Sequence, residues 1–110
     1  MSMLNRKERI LTMLESDPEN DFLLFALAKE LENENLIEEA IDTYRQLIGI
    51  HPKYIGAYYH LAKILQTKLN MKEAILVLKE GIGLAKTLKD LHSLAEMQNL
   101  LNDIEMESLM

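Results

Sequence analysis

Apolar residues recur at helical spacing along most of this chain. Leu23, Leu24, Leu27, Ala28 and Leu31 follow the i, i+3, i+4, i+7 rule and predict one apolar stripe on an amphipathic helix. Asn33-Glu34-Asn35 reads as a turn. Ile37, Ala40, Ile41, Tyr44, Leu47 and Ile48 form a second stripe, which His51-Pro52 ends. The plan then recurs. Tyr58, Leu61, Ala62 and Leu65 are followed by a turn at Leu69-Asn70, and then by Ala74, Ile75, Leu78 and Ile82, with Asn70 placed to cap that helix. Residues 4–15 carry Leu4, Ile10, Leu11, Met13 and Leu14 and end at Ser16-Asp17-Pro18. Residues 90–107 carry Leu91, Leu94, Met97, Leu101 and Ile104, with Asp90 as the cap. Every element predicted is a helix.

The recurrence has a period. At an offset of 34, residues 21–54 align with 55–88, and nine of the 34 pairs are identical: Leu27/Leu61, Ala28/Ala62, Lys29/Lys63, Leu31/Leu65, Glu39/Glu73, Ala40/Ala74, Ile41/Ile75, Ile48/Ile82 and Gly49/Gly83. Ordinary residue frequencies give roughly two. Pro18 and Pro52 are also 34 apart, and Ile10 and Leu14 lie 34 before Tyr44 and Ile48. The N-terminal helix therefore reads as the second helix of a unit whose first helix is missing. A repeat array buries its apolar faces on neighbours and needs covered ends, so the two terminal helices are assigned as caps. The fold predicted is an all-α solenoid of antiparallel helix hairpins forming one domain over residues 1–110. It comprises an N-terminal half-repeat helix (4–15), two full repeats (21–54 and 55–88) and a capping helix (90–107). Ala28, Ala40, Ala62 and Ala74 are the small residues that let paired helices approach to about 8–10 Å.

These residues resemble the tetratricopeptide repeat family. Leu24, Leu27, Ala28, Leu31, Ala40, Tyr44 and Pro52 in one repeat, and Tyr58, Leu61, Ala62, Leu65 and Ala74 in the next, match its signature positions, with Leu31 and Leu65 in place of an aromatic. The family's turn glycine is Asn35 in one repeat and Leu69 in the other, and Leu69 enters the left-handed region poorly. Lys86 stands where the second terminal proline would be, so that helix is expected to run on toward Leu88. In this family the first helices line a concave groove that holds an extended peptide or a partner's helix. Carried over by position, the resemblance implies a groove side of Phe22, Phe25, Lys29 and Asn33, then Tyr59, Lys63 and Thr67, then Ser93 and Met97 from the last helix. Aromatic rings beside two ammonium groups suit a peptide with apolar anchors and a carboxylate. Chaperone-binding members clamp two carboxylates with Lys, Asn and Arg side chains. Phe25, His60 and Asp90 occupy three of those positions, which argues against a chaperone-tail ligand.

Composition narrows the function further. Twelve basic residues against 18 acidic ones give a net charge of −6, which disfavours phosphate backbones and anionic lipid, so neither nucleic acid nor membrane is an expected partner. No stretch approaches the roughly 18 apolar residues of a membrane span, and the N-terminal apolar run is too short for a secretory core. The expected location is the cytoplasm. Cysteine is absent, which removes disulfides, thiol nucleophiles and thiolate metal sites. No serine sits in a nucleophile elbow, the three histidines fall at unrelated repeat positions, and no glycine-rich phosphate loop occurs. No cofactor, metal or catalytic residue is expected. Charge is uneven: ten acids against Lys29 between Glu15 and Asp42, eight bases against Glu73 and Glu80 between Arg45 and Lys89, and five acids with no Lys or Arg in the last 21 residues.

The function expected is a non-catalytic protein-interaction module that takes a peptide or partner helix in its groove. The alternative is self-association as a homodimer or larger homo-oligomer, through the C-terminal helix with its Leu100-Leu101 edge or through the opposed charges. The register of the repeats is testable. Ala74→Leu overpacks a helix crossing at a cost of about 1–3 kcal/mol, more than Leu69→Ala in the turn. Thermal melts that rank the two variants the other way contradict the alignment.

Overall fold

The structure is a computed structural model that describes residues 4–109. Its described residues form six helices and no strand: α1 (Arg6–Ser16), α2 (Asp21–Asn33), α3 (Ile37–Ile50), α4 (Gly56–Thr67), α5 (Met71–Leu88) and α6 (Leu91–Glu107). The chain divides into two compact units, one up to Pro52 and one from Lys53.

Within the first unit, α2 and α3 pair along their lengths and α1 packs on α2. The two stripes read from the sequence are the surfaces that meet. Leu24, Leu31, Ile41, Tyr44 and Leu47 are buried, and no solvent reaches Ala28 or Ala40. The starts of α1 and α2 have a common cause. Asn5 and Asn20 accept hydrogen bonds from the amides of Glu8 (2.8 Å) and Leu23 (2.9 Å), each satisfying an N–H that the helix itself leaves open. The Asn5 cap also starts α1 at Arg6, two residues later than the apolar pattern suggests, leaving Leu4 outside the helix and exposed. Two ion pairs tie α1 to the far end of α2: Lys7 Nζ to Glu34 Oε2 at 2.6 Å, and Arg6 Nε to Glu30 Oε1 at 2.8 Å. The Glu34 hydrogen bond raises the Lys7 ammonium above its ordinary pKa.

One polar contact lies in the hairpin itself. The Tyr44 side chain is fully buried, and its hydroxyl donates to the Glu32 carboxylate on α2. Burial, and then that hydrogen bond, push the phenol far above its usual range. Tyr44 is therefore a permanent donor, and it fixes α3 against the last turn of α2.

In the second unit α5 is the middle helix, packed on α4 along one face and on α6 along another, with a smaller contact between α4 and α6. Tyr58, Leu61, Leu65, Leu78 and Ile82 are buried, as are Ala62 and Ala74. Asn70 and Asp90 cap α5 and α6 through the amides of Glu73 and Ser93, as their positions predict. The Asp90 carboxyl is held below its usual range by these hydrogen bonds from the Ser93 amide and hydroxyl. The α5 helix does run on to Leu88, without a proline to stop it.

Three turns share one geometry. Asn35, Leu69 and Lys89 all have φ near +60°. In each, the next amide reaches back five residues: Leu36 to Leu31, Asn70 to Leu65, and Asp90 to Ala85, at 2.8–2.9 Å. These are Schellman closures, which satisfy helix-terminal carbonyls that would otherwise be unpaired. Leu69 adopts the left-handed conformation in spite of its Cβ. The closure outweighs a local cost of about 1–2 kcal/mol, and the side chain is left in solvent.

The C-terminal helix corrects two expectations. Leu100 and Leu101, read as an exposed edge, are buried in the second unit with Met97 and Ile104. These four positions form the i, i+3, i+4, i+7 stripe that α6 turns inward. Leu91, placed on the apolar stripe by spacing, is 75% exposed.

Glycines inside helices differ in what surrounds them. A Cβ on Gly81 would lie 2.5 Å from Met97 Sδ and 2.8 Å from Tyr58 Cβ, so α4 and α6 both crowd α5 at this point. Gly49 and Gly83 have nothing within 4 Å. Gly83→Ala is expected to stabilise the fold by roughly 0.5–1 kcal/mol, and Gly81→Ala to destabilise it by about 1–3 kcal/mol. Chemical denaturation of both variants checks the contrast. By the same measurement Tyr44→Phe costs about 1–2 kcal/mol, because the charged acceptor loses its donor.

Candidate functional site

The residues expected to form a binding face lie on three helices, and the structure treats them differently. Phe22, Phe25, Lys29 and Asn33 follow one another at i, i+3, i+7 and i+11, so they share one face of α2. Phe22 is 66% exposed, Phe25 and Lys29 are half-buried, and Asn33 is exposed. Phe25 is held by the core beneath it. Its ring meets Tyr44 edge-on, with centroids 6.1 Å apart at 62°. Lys29 Nζ stands 3.9 Å from Glu32 Oε2, one turn along the helix. The carboxylate that accepts from Tyr44 therefore also faces the Lys29 ammonium.

On α4 the equivalent line is Tyr59, Lys63 and Thr67, at i, i+4 and i+8. Tyr59 is half-buried and packs edge-on against His60, with ring centroids 5.5 Å apart. Lys63 and Thr67 are exposed, and the Thr67 hydroxyl donates to the Lys63 carbonyl at 3.1 Å. Each unit thus presents the same sequence of chemistry on its first full-repeat helix. An aromatic ring comes first, an ammonium one turn later, and a short polar side chain one turn after that.

The last helix contributes less than expected. Met97 has no exposed surface, and its sulfur lies against Gly81 in the interior of the second unit, so it belongs to the core and not to a binding face. Ser93 is occupied as well. Its hydroxyl donates to Asp90 Oδ2 at 2.7 Å while its amide donates to Oδ1, so it completes the cap. The signal for Met97 was present in the sequence, since Leu100, Leu101 and Ile104 stand three, four and seven residues after it.

Among the described residues, no group of three or more His, Asp or Glu is placed to hold a metal ion, and no helix is long and apolar enough to cross a membrane.

Comparison with known proteins accords with the paired-helix repeats. The family model described as tetratricopeptide repeat matches residues 23–54 and 55–88, more than half of the chain. No curated protein matches significantly. Among solved structures, a tetratricopeptide repeat domain protein from Salinibacter ruber is 30% identical with a TM-score of 0.77, over 80% of this chain and 89% of that one. A protein from Bordetella parapertussis is 26% identical with a TM-score of 0.83, over 96% and 91%. The TPR2B domain of yeast Sti1, in its pHsp70 complex, shares the fold at 18% identity with a TM-score of 0.85, over 92% and 81%. Two consecutive matches in the register of the internal repeat, on paired antiparallel helices, make this chain a member of the tetratricopeptide repeat family.

Proposed function

We propose that this chain is a non-catalytic protein-interaction module that takes an extended peptide or a partner's helix on its first-helix faces. The observation that carries the reading is the duplicated line of ring, ammonium and polar side chain. It runs as Phe25, Lys29 and Asn33 on α2 and as Tyr59, Lys63 and Thr67 on α4, at partly or fully exposed positions. Phe22 adds an exposed apolar ring to the first line. Rings that are rigid and half-buried bind at low entropic cost, while lysines at the same register select carboxylates. Membership of a protein-interaction repeat family supports the reading. So do the folds it shares with the Sti1 domain in its pHsp70 complex and with PcrH in complex with the chaperone-binding region of PopD. The ligand class proposed is a peptide with apolar anchors separated by acidic residues. The absence of a Lys, Asn and Arg clamp at Phe25, His60 and Asp90 distinguishes it from a chaperone-tail receptor.

The test is affinity capture with the wild type and two double variants. Phe25→Ala with Tyr59→Ala removes the rings, and Lys29→Glu with Lys63→Glu reverses the charges of the two lines. Both are expected to lose the captured partner while keeping a folded circular-dichroism spectrum. Recovery by the wild type should fall as salt rises. Retention of the same partners by both folded variants rules the assignment out.

A further inference from the structure

The 34-residue register also says what the first unit leaves uncovered. Arg6, Arg9, Ile10 and Met13 on α1 stand at the positions of Ala40, Thr43, Tyr44 and Leu47 on α3. All four of those α3 residues are buried in a helix that has α2 as its hairpin partner. On α1 only Ile10 is buried, while Met13 is 49% exposed and both arginines are exposed. Among the described residues no helix stands to α1 as α2 stands to α3. What remains is a cleft of about 250 Å³ between α1 and the start of α2, with Phe22 on its other wall. The middle of α6 differs. Ala95, Gln98, Asn99 and Asn102 on α6 are exposed and small or polar, a surface that solvent covers without cost.

We infer that this cleft seats an amphipathic helix of a partner protein, bound where a first helix would complete the half-repeat and carrying carboxylates beside its apolar stripe. The chemistry of the rim selects that partner. Arg9 makes no ion pair among the described residues, so its guanidinium fork is open to a carboxylate. Arg6 is already engaged by Glu30, with most of its side chain in solvent. These two cations replace the small Ala40 and Thr43 of the complete repeat. The incoming helix therefore cannot pack as closely as α2 does on α3, and it must neutralise charge as well as cover Met13 and Phe22. The cleft shares Phe22 with the α2 face proposed above, but Arg9 and Met13 lie on neither first-helix face, so variants at those two positions test the inference separately.

The probe is a fluorescein-labelled peptide of residues 20–36 of this chain, a first-helix sequence with Leu24, Leu27 and Leu31 as its stripe and Glu30, Glu32 and Glu34 as its acids. A second probe carries lysine at those three acids. Anisotropy is measured with the full chain at low salt. The acidic probe is expected to bind about tenfold more tightly than the lysine probe, and Arg9→Glu to weaken it by about tenfold while favouring the lysine probe. Met13→Asp should abolish binding, and Phe25→Ala with Tyr59→Ala should leave it unchanged. No binding of the acidic probe, equal binding of both probes, or indifference to Arg9→Glu and Met13→Asp overturns the inference. So does sedimentation showing that Met13→Asp dissolves an oligomer of the wild type, which would give the cleft to a second copy.

Discussion

Close approach of two helices at residues with almost no side chain is the constraint on which the structure rests. Ala28, Ala40, Ala62 and Ala74 are all closed to solvent, and Gly81 is so tight that a single added carbon would meet its neighbours. Small residues cost little conformational entropy on burial and bring the flanking leucines of both helices into van der Waals contact. The apolar stripes supply most of the stabilisation, and the small residues set the distance at which they work. Schellman closures at the ends of α2, α4 and α5, with the Asn70 and Asp90 caps, then let the chain stop and reverse within two or three residues at these turns.

The proposed binding faces follow from that arrangement. A first helix that buries one face in its hairpin has another left over, and its residues are free to carry ligand chemistry. Phe25 shows the link, since its ring is edge-on to the buried Tyr44, and Tyr44 is pinned to Glu32 beside Lys29. Core and surface are thus joined through four side chains, so the presentation of the aromatic ring depends on the hairpin being intact.

Most of the fold was legible because its period is written in the residues that touch. Helix identity, the hairpin turns, the caps at Asn70 and Asp90 and the run of α5 to Leu88 all follow from local rules. The register failed when carried one step further, onto α6. Position 97 is equivalent to the exposed Lys63, yet Met97 is buried, while Ala95 and Asn99, equivalent to the buried Leu61 and Leu65, are exposed. Among the described residues α6 has no second helix of its own, so its apolar stripe serves α5 and α4 alone and rotates to face them. The same reasoning misjudged Leu100 and Leu101, whose burial depends on which neighbours are present. Leu69 was judged a poor turn residue on intrinsic cost, and the hydrogen bonds of the closure decided its conformation instead.

Amide hydrogen exchange followed by NMR tests the central claim most directly, because it reports opening residue by residue. If the hairpins are held at their small-residue crossings, the amides around Ala28, Ala40, Ala62 and Ala74 exchange slowest within their units, by way of cooperative unfolding. Those of α1 and the last turn of α6 exchange first. Fast exchange at the four alanines, no slower than at the helix ends, would contradict the account.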